Sequence, residues 1–396
     1  MLKGKTIVLG VSGSIAAYKI ANLASMLVKL HASVHVIMTR NACQFITPVT
    51  FETLTGHKCL VDTFDRNFEF QVEHVSLAKL ADVFLVAPAT ANVIGKIAGG
   101  IADDMLTTTL MACRAPKLIA PAMNTQMWEN PIVQDNVKKL EHYGYKLIQP
   151  ASGRLACGDT GSGKLPAEEE LLEQILLTCA LPHDLQGKRL LISAGPTQEA
   201  IDPVRYITNH SSGKMGYAIA RVACLRGAHV TLVTGPVNLK PCSAAEVISI
   251  KSAADLYREI TARSTENDVI IMCSAVADYT PAHYHDQKTK KKDGELTLEL
   301  TRTQDILKYL GEHKAPGQVL VGFSMETENL LENSRAKLQK KNADMICANS
   351  ISSGKTGFGV DTNQVTLITP DQVKELPLCS KEETAGLILD EIINLF

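Results

Sequence analysis

The chain has 396 residues, enough for two or three domains, and its 45% apolar and 21% charged content is that of an ordinary globular protein. Lys and Arg number 40 against 42 Asp and Glu, a formal charge of −2, so there is no general attraction to nucleic acid or to a membrane surface, and any anion site must be local. No apolar run approaches the ~18 residues of a membrane span, MLKGKTIVLG lacks the layout of a secretory leader, and ten scattered cysteines without a C-x-x-C predict reduced thiols in a cytoplasmic protein, without a zinc or disulfide framework.

TIVLGVSGSIAAYK predicts a strand, a small-residue turn and a helix with Ile20, Leu23, Leu27 and Leu30 on one face. Ser12, Gly13 and Ser14 let a phosphate approach free N–H groups at the helix start, although the spacing is not G-x-G-x-x-G and simple packing accounts for it equally well. Strand SVHVIMT ends at Thr39. HVSLAKLAD sets His74 near a helix start, as a packed ring or as a group titrating near neutrality. Strand VFLVAPAT ends at Thr90, and Ala91 and Asn92 open a helix whose apolar face runs through Ile94, Ile97, Ala98, Ile101 and Met105. Strand KLIAPAMN ends at Asn124, a turn former or a reader of a carboxylate, close to Trp128, the only tryptophan. The Gly- and Ser-rich ASGRLACGDTGSGKLP reads as a mobile flap carrying Cys157. Gly158 to Lys164 fits G-x-x-x-x-G-K, but Leu165 replaces the Mg²⁺-binding hydroxyl. Ser353-Gly354-Lys355-Thr356 has the hydroxyl, but Asn349 replaces the first glycine. Neither is a P-loop.

At Gly187-Lys188 the opening pattern restarts with strand RLLISAG, so two α/β units follow one another. The turn after it packs Asp202, Arg205, Asn209, His210 and Lys214 ahead of helix 216–226, whose inner face is Ile219, Val222 and Ala223; the set suits a polyanion or an acyl oxygen, or a purely structural loop. Strands HVTLVTGP and EVISI and a helix from Ala253 to Arg263 precede DVIIMCSAVADYT, with Asp278 at its C-terminal end. Lys288, Lys290, Lys291 and Lys292 form either a solvated run or a lid over a triphosphate. TQDIL opens a helix, and VLVGFSMET places Phe323 at a strand end, where its ring can stack on a base. Lys337 and Lys341 share a helix face, and MICAN, VTLITP, VKELPL and a final helix close the sheet.

SGSIAAYK, HVSLAKLAD, APATANVIGKIAGGIADD, PAMNTQMW and ACG together resemble the flavin-dependent cysteine decarboxylases, specifically the phosphopantothenoylcysteine decarboxylases, over residues 4 to 178. GPTQEAIDPVRYITNHSSGKMG and KTKK resemble the phosphopantothenate–cysteine ligases over about residues 188 to 394. The resemblance implies an α/β protein with a flavodoxin-like parallel-sheet domain over 1–187 and a Rossmann-like α/β ligase domain over 188–396, acting consecutively in coenzyme A biosynthesis. It implies FMN against Ser12, Gly13, Ser14, Thr39, Ala89, Thr90 and Asn92, with His74 as base, Asn124 holding the substrate carboxylate and Cys157 as proton donor. Oxidation of the CH₂–SH group to a thioaldehyde gives the electron pair left by CO₂ a sink, and FMN takes the two electrons.

For the second half the resemblance implies 4′-phosphopantothenate, cysteine and CTP as substrates, an acyl-cytidylate held by Asn209, and Lys288 on the charge of the second transition state. The nucleotide site would comprise Met272, Cys273, Ser274, Asp278, Lys288, Gln304, Asp305, Ile306, Leu307, Phe323, Lys337 and Lys341, with Mg²⁺ on the triphosphate and metal ligands unassigned. Homo-oligomers, a dodecamer when both halves are fused, are implied in the same way. The alternative is a regulatory protein that binds FMN without turnover, against which His74, Asn124 and Cys157 speak. A pyridine-nucleotide oxidoreductase is excluded by the spacing of both Gly-rich turns.

Overall fold

The computed structural model describes residues 1–64, 73–155, 158, 160–288, 297–326, 329–350 and 360–396, in two compact units, Met1–Leu181 and Pro182–Phe396. The first unit runs β1 (Thr6–Val11), α1 (Lys19–Lys29), β2 (Ser33–Met38), α2 (Pro48–Thr55), α3 (Glu73–Leu80), β3 (Val83–Ala89), α4 (Ala91–Gly99), α5 (Met105–Ala112), β4 (Lys117–Pro121), α6 (Thr125–Trp128), α7 (Pro131–His142), β5 (Lys146–Leu147), β6 (Ala151–Arg154), β7 (Thr160–Lys164) and α8 (Glu168–Cys179). Its main sheet is parallel, in the order β2-β1-β3-β4-β5. That is the flavodoxin-like order, with its switch point between β1 and β3, where open parallel sheets take ligands at the strand C-termini.

Strand β3 is buried along its whole length, as a central parallel strand covered on both faces must be. Phe84 and Val86 of β3, with Val8, Ile37 and Ile119, pack against Leu77 of α3, Ile94 and Ile97 of α4, Leu106 and Leu110 of α5 and Leu140 of α7. Each fully buried side chain of this size contributes roughly 1.5–3 kcal/mol. The single helix expected to run from Asn92 to Met105 is two. Gly100, at φ +71°, ends α4 in the left-handed conformation, and Asp104 starts α5 through a capping box with Thr107. Ile101 lies between them and is 49% exposed, off the apolar face assigned to it.

The second unit runs β8 (Arg189–Ala194), β9 (Gln198–Ala200), β10 (Tyr206–Thr208), α9 (Lys214–Leu225), β11 (His229–Thr234), β12 (Glu246–Ser249), α10 (Ala253–Arg263), β13 (Val269–Met272), β14 (Tyr279–Pro281), β15 (Leu300–Arg302), α11 (Ile306–Glu312), β16 (Val319–Glu326), α12 (Leu330–Lys340), β17 (Met345–Ser350), β18 (Thr362–Asn363), β19 (Val365–Ile368), β20 (Val373–Glu375), β21 (Cys379–Ser380) and α13 (Lys381–Ile393). The eight-stranded sheet has the order β12-β11-β8-β13-β16-β17-β19-β20. The first six are parallel in the Rossmann order, with β19 and β20 added antiparallel. Its switch point lies between β8 and β13. Arg226, which caps α9, is largely buried and donates to both carboxylate oxygens of Asp184 at 2.7 and 2.6 Å and to Asp390 of α13 at 2.7 Å. These guanidinium hydrogen bonds hold the Asp184 carboxyl below the usual range.

Several local expectations give way here. The long turn after β8 contains the hairpin β9–β10, closed by the buried Asp202 carboxylate, which accepts from the Val204 and Arg205 N–H groups and from the Arg205 guanidinium. Asp278 is not a strand end: β13 stops at Met272, and the chain then crosses to the short β14–β15 pair. Phe323 lies inside β16, paired with Cys347 of β17. Lys341 caps α12 from outside the helix.

Candidate functional sites

In the first unit, Gly13, Thr39, Thr90 and Asn92 line one cavity of about 530 Å³ together with Asn41, Lys96 and Met127. It opens at the C-terminal edge of β1 and β3. Gly13 is required there, because a Cβ would stand 2.6 Å from that of Asn41. Thr39 caps the next turn by accepting from the Ala42 N–H at 3.2 Å, and Thr90 caps α4 by accepting from Val93. Ser12 is fully buried: its hydroxyl donates to the Pro88 carbonyl at 2.6 Å and accepts from the Thr90 N–H at 3.1 Å. It ties the ends of β1 and β3 together and, like Ser14 and the buried Ala89, is absent from the cavity lining. Ser14 caps the following turn by accepting from Ala16. Lys96 donates to Asp103 and Asp104; the Asp103 contact raises its affinity for the proton and lowers that of Asp103.

Asn124 caps α6 by accepting from the Gln126 N–H at 2.8 Å, and His74 is the second residue of α3; neither lines that cavity. Cys157 lies outside the described residues. The Gly/Ser-rich segment expected to pack loosely is a hairpin, β6–β7, whose return strand fits closely onto the Asn124 turn. The Met123 N–H donates to the Gly163 carbonyl at 2.9 Å and the Thr125 hydroxyl to the Ser162 carbonyl at 2.8 Å. A Cβ at Gly163, where φ is +121°, would stand 2.4 Å from the Met123 oxygen, and one at Gly161 would stand 2.5 Å from the Thr125 hydroxyl. The glycines serve close approach between backbones.

In the second unit, two cavities meet at the β8/β13 switch. The first, about 540 Å³, is lined by Met272, Ser274, Asp278, Gln304, Asp305, Ile306, Leu307, Phe323, Lys337 and Lys341, which brings together every residue expected at the nucleotide except Cys273 and Lys288. Lys337 donates to the Phe323 carbonyl at 2.8 Å, which ties its ammonium to the β16 backbone. Asp305 caps α11 and pairs with Lys341; burial raises its proton affinity, but Lys341 and the Lys308 N–H outweigh that and hold it down. Lys288 is exposed and lines neither cavity. Lys290, Lys291 and Lys292 lie outside the described residues.

The second cavity, about 560 Å³, shares Ser274, Val276, Asp278, Phe323 and Lys337 with the first and adds Cys273 and the turn from Asn209 to Lys214 at the start of α9. The Asn209 carboxamide donates to the carbonyls of Ala275 and Val276 at 3.1 and 3.2 Å. A buried hydroxyl supports that loop from below: Ser193 of β8 accepts from the N–H groups of Cys273 and Ser274 at 3.1 and 3.2 Å and is hydrogen-bonded to the Ser274 hydroxyl at 2.7 Å. Gly216 lets α9 close on β8, since a Cβ would stand 2.6 Å from that of Ala194. Asp202 and Arg205, expected among the anion-binding groups, do not line the cavity.

The flavoprotein family matches residues 1–179, and the family described as DNA/pantothenate metabolism flavoprotein C-terminal domain matches residues 185–395. The chain is 48% identical to the coenzyme A biosynthesis bifunctional protein CoaBC of Bacillus subtilis, over 100% of this chain and 98% of that protein. It is 40% identical to the protein of the same name from Escherichia coli, with the same coverage. A crystal structure of the C-terminal domain of a CoaBC protein, 47% identical, aligns over 53% of this chain and 96% of that one with a TM-score of 0.46. This chain belongs to the CoaBC family of coenzyme A biosynthesis bifunctional proteins.

Three residues at the C-terminal site of this CoaBC family member escape sequence reasoning. Asn349 lines the second cavity, and its Oδ1 is the one buried side-chain oxygen or nitrogen among the described residues without a hydrogen-bond partner. Asn363 and Lys381 line the same wall, 2% and 8% exposed. Asn363 donates to the Met215 sulfur, and Lys381 donates to the Val360 carbonyl. In sequence Asn349 stands out only as a residue that breaks a P-loop pattern, and a lysine opening a helix reads as surface charge. Among the described residues no three His, Cys, Asp or Glu side chains gather as a metal cage, no disulfide joins the nine described cysteines, and no helix is long and apolar enough to cross a membrane.

Proposed function

We propose that the two activities of this bifunctional enzyme of coenzyme A biosynthesis, phosphopantothenoylcysteine decarboxylase and phosphopantothenate–cysteine ligase, are housed in residues 1–187 and 188–396 respectively. The two adjoining cavities at the β8/β13 switch carry the ligase assignment, because they share Ser274, Val276, Asp278, Phe323 and Lys337 while one adds Lys341 and the other the Asn209 turn and the start of α9. CTP lies with its base and ribose in the Phe323 cavity and its phosphates towards α9, whose dipole and free N–H groups favour anions. Asp278, common to both cavities, is the carboxylate that would hold Mg²⁺, which would offset phosphate charge there. The carboxylate of 4′-phosphopantothenate attacks the α-phosphate and expels pyrophosphate. Asn209 holds the acyl-cytidylate, and cysteine's amine displaces CMP while Lys288 offsets the charge of that transition state.

The β1/β3 cavity fits FMN in its donors: hydroxyls at Thr39 and Thr90, amides at Asn41 and Asn92, and a closed turn at Gly13. Bound there, FMN supplies a two-electron acceptor and donor for the cysteine side chain. Ser12, Ser14 and Ala89 act by shaping its rim. Asn124 orients the substrate carboxylate from its turn, His74 takes the proton, and Cys157, on the segment between β6 and β7, returns one. The docking of β7 onto the Asn124 turn supports a role for that hairpin at the carboxylate. The enzyme works in the cytoplasm as a homo-oligomer, a dodecamer by family resemblance. A full-length match to bifunctional relatives, ligase half included, does not favour the FMN-binding regulatory alternative.

The test is a coupled reaction of the flavin-loaded protein with 4′-phosphopantothenate, cysteine and either CTP or ATP. CMP, pyrophosphate, CO₂ and 4′-phosphopantetheine are expected with CTP. CMP without CO₂ would sink the decarboxylase assignment, and equal turnover with ATP would sink the choice of CTP.

A further inference from the structure

Lys381 is the first residue of α13 and is 8% exposed, yet it forms part of the wall of the second cavity. Its backbone N–H donates to the Asp361 carbonyl and its ammonium to the Val360 carbonyl, which points the side chain inward, away from the solvent a helix-opening lysine normally seeks. Lys214, at the start of α9, lines the same cavity and pairs with Asp361 at 2.7 Å. Burial, and then the charge of Lys214, lower the affinity of Lys381 for its proton, while Asp361 partly restores it. The residues lining the cavity include Lys214, Lys337 and Lys381 with Asp278 as the acidic member, and Asp361, outside the lining, offsets part of that charge through its pair with Lys214. Holding like charges together with one of them desolvated is unfavourable in isolation, and a bound polyanion reverses the sign.

We propose that Lys381 is the receptor for the leaving pyrophosphate of the ligase reaction, an assignment that rests on the ligase reading above. When the substrate carboxylate oxygen bonds to the α-phosphorus, the α–β bridge breaks and its electron pair goes to the β-phosphate oxygen. Charge therefore develops on the β-phosphate. Lys381 lines the cavity that takes in the start of α9, near Cys273 and Lys214, with which it interacts electrostatically, and it is absent from the lining of the first cavity, where the nucleoside is placed. Lys337, bonded to the Phe323 carbonyl and common to both cavities, serves the nucleoside end. The competing account makes Lys381 a strut that merely ties Val360 and Asp361 to α13.

Product inhibition of the full-length flavin-loaded enzyme separates the two, with CMP and inorganic pyrophosphate as probes. CMP carries no β- or γ-phosphate, so in K381M its inhibition constant should stay within about twofold of wild type. That of pyrophosphate should rise about 10- to 100-fold, as loss of a charge-assisted hydrogen bond predicts. K381R, which keeps the charge, should recover most of the pyrophosphate inhibition, and K381Q, which keeps a donor for Val360 without the charge, should not. Unchanged pyrophosphate inhibition in K381M, equal weakening of both inhibitors, or recovery by K381Q would overturn the proposal. A wild-type enzyme that releases no pyrophosphate with phosphopantothenate, cysteine and CTP would instead overturn the ligase reading itself.

Discussion

Ser193→Ala removes the fully buried hydroxyl on which the loop Cys273–Val276 rests. Three hydrogen bonds disappear, and two backbone N–H groups, those of Cys273 and Ser274, lose their acceptor below the sheet edge. At a net ~1 kcal/mol for each bond, with an orphaned donor costing ~1–3 kcal/mol, the second unit should lose about 3 kcal/mol. With a urea m-value of about 2 kcal/mol/M this moves its midpoint down by about 1.5 M. The full chain offers an internal control. Its only tryptophan, Trp128, belongs to the first unit, so tryptophan fluorescence follows that unit while far-UV circular dichroism follows both. The fluorescence transition should stay in place as part of the dichroism transition moves. The Michaelis constant for the nucleotide should rise with it, because Ser274 and Val276 belong to the wall shared by the two cavities. A second-unit midpoint within about 0.3 M of wild type, with a normal nucleotide constant, would refute the idea that Ser193 supports the site.

Gly163→Ala pushes a methyl onto the Met123 carbonyl at a φ that disfavours any side chain; CO₂ release should fall at least about tenfold while bound flavin absorbance is retained, and normal CO₂ release would separate hairpin docking from catalysis. Asn209→Asp replaces the donor to Ala275 and Val276 with a carboxylate facing two carbonyls, so ligation should drop about 10²–10³-fold with decarboxylation of added phosphopantothenoylcysteine unaltered. Near-normal CMP formation would remove Asn209 from its assigned role. Arg226→Met should cost the second unit about 2–3 kcal/mol at neutral pH, less than a fully buried ion pair because Asp184 and Asp390 reach solvent. The Asp184 carboxyl is held below its usual 3.8, so the stability it lends is present above that pH and lost as pH falls through the depressed value. The gap between wild type and variant should accordingly narrow in acid, and a gap independent of pH would contradict the pairing.

The long apolar runs and their order were legible in the sequence, because parallel strands buried on both faces leave near-continuous hydrophobic segments such as Val83–Ala89, and a Ser-capped amphipathic helix such as Ala253–Arg263 announces both its ends. Less legible was how strand ends give way to loops. The apolar runs predict strand C-termini at Asp278 and Phe323, whereas one lies six residues past β13 and the other is inside β16. They share a cavity all the same, because the β14–β15 excursion folds back: Thr303 donates from its N–H to the Asp278 carbonyl and from its hydroxyl to the Ala277 carbonyl. Ser12 looked like a phosphate donor and is a strut, since a hydroxyl beside a strand end has no sequence mark for which way it points. Lys381 was missed for the opposite reason: nothing local distinguishes a lysine whose ammonium turns inward.

The partners of Asn209 are main-chain groups. The Ala275 N–H donates to the Gly195 carbonyl, the Thr197 N–H to the Ala275 carbonyl, and Asn209 reads the carbonyls of Ala275 and Val276. Backbone groups persist through most substitutions, whatever codon changes beneath them. An inhibitor that displaces the Asn209 carboxamide from the Ala275 and Val276 carbonyls would therefore be difficult to escape by point mutation, whereas one anchored on the lysines could be lost with a single base change.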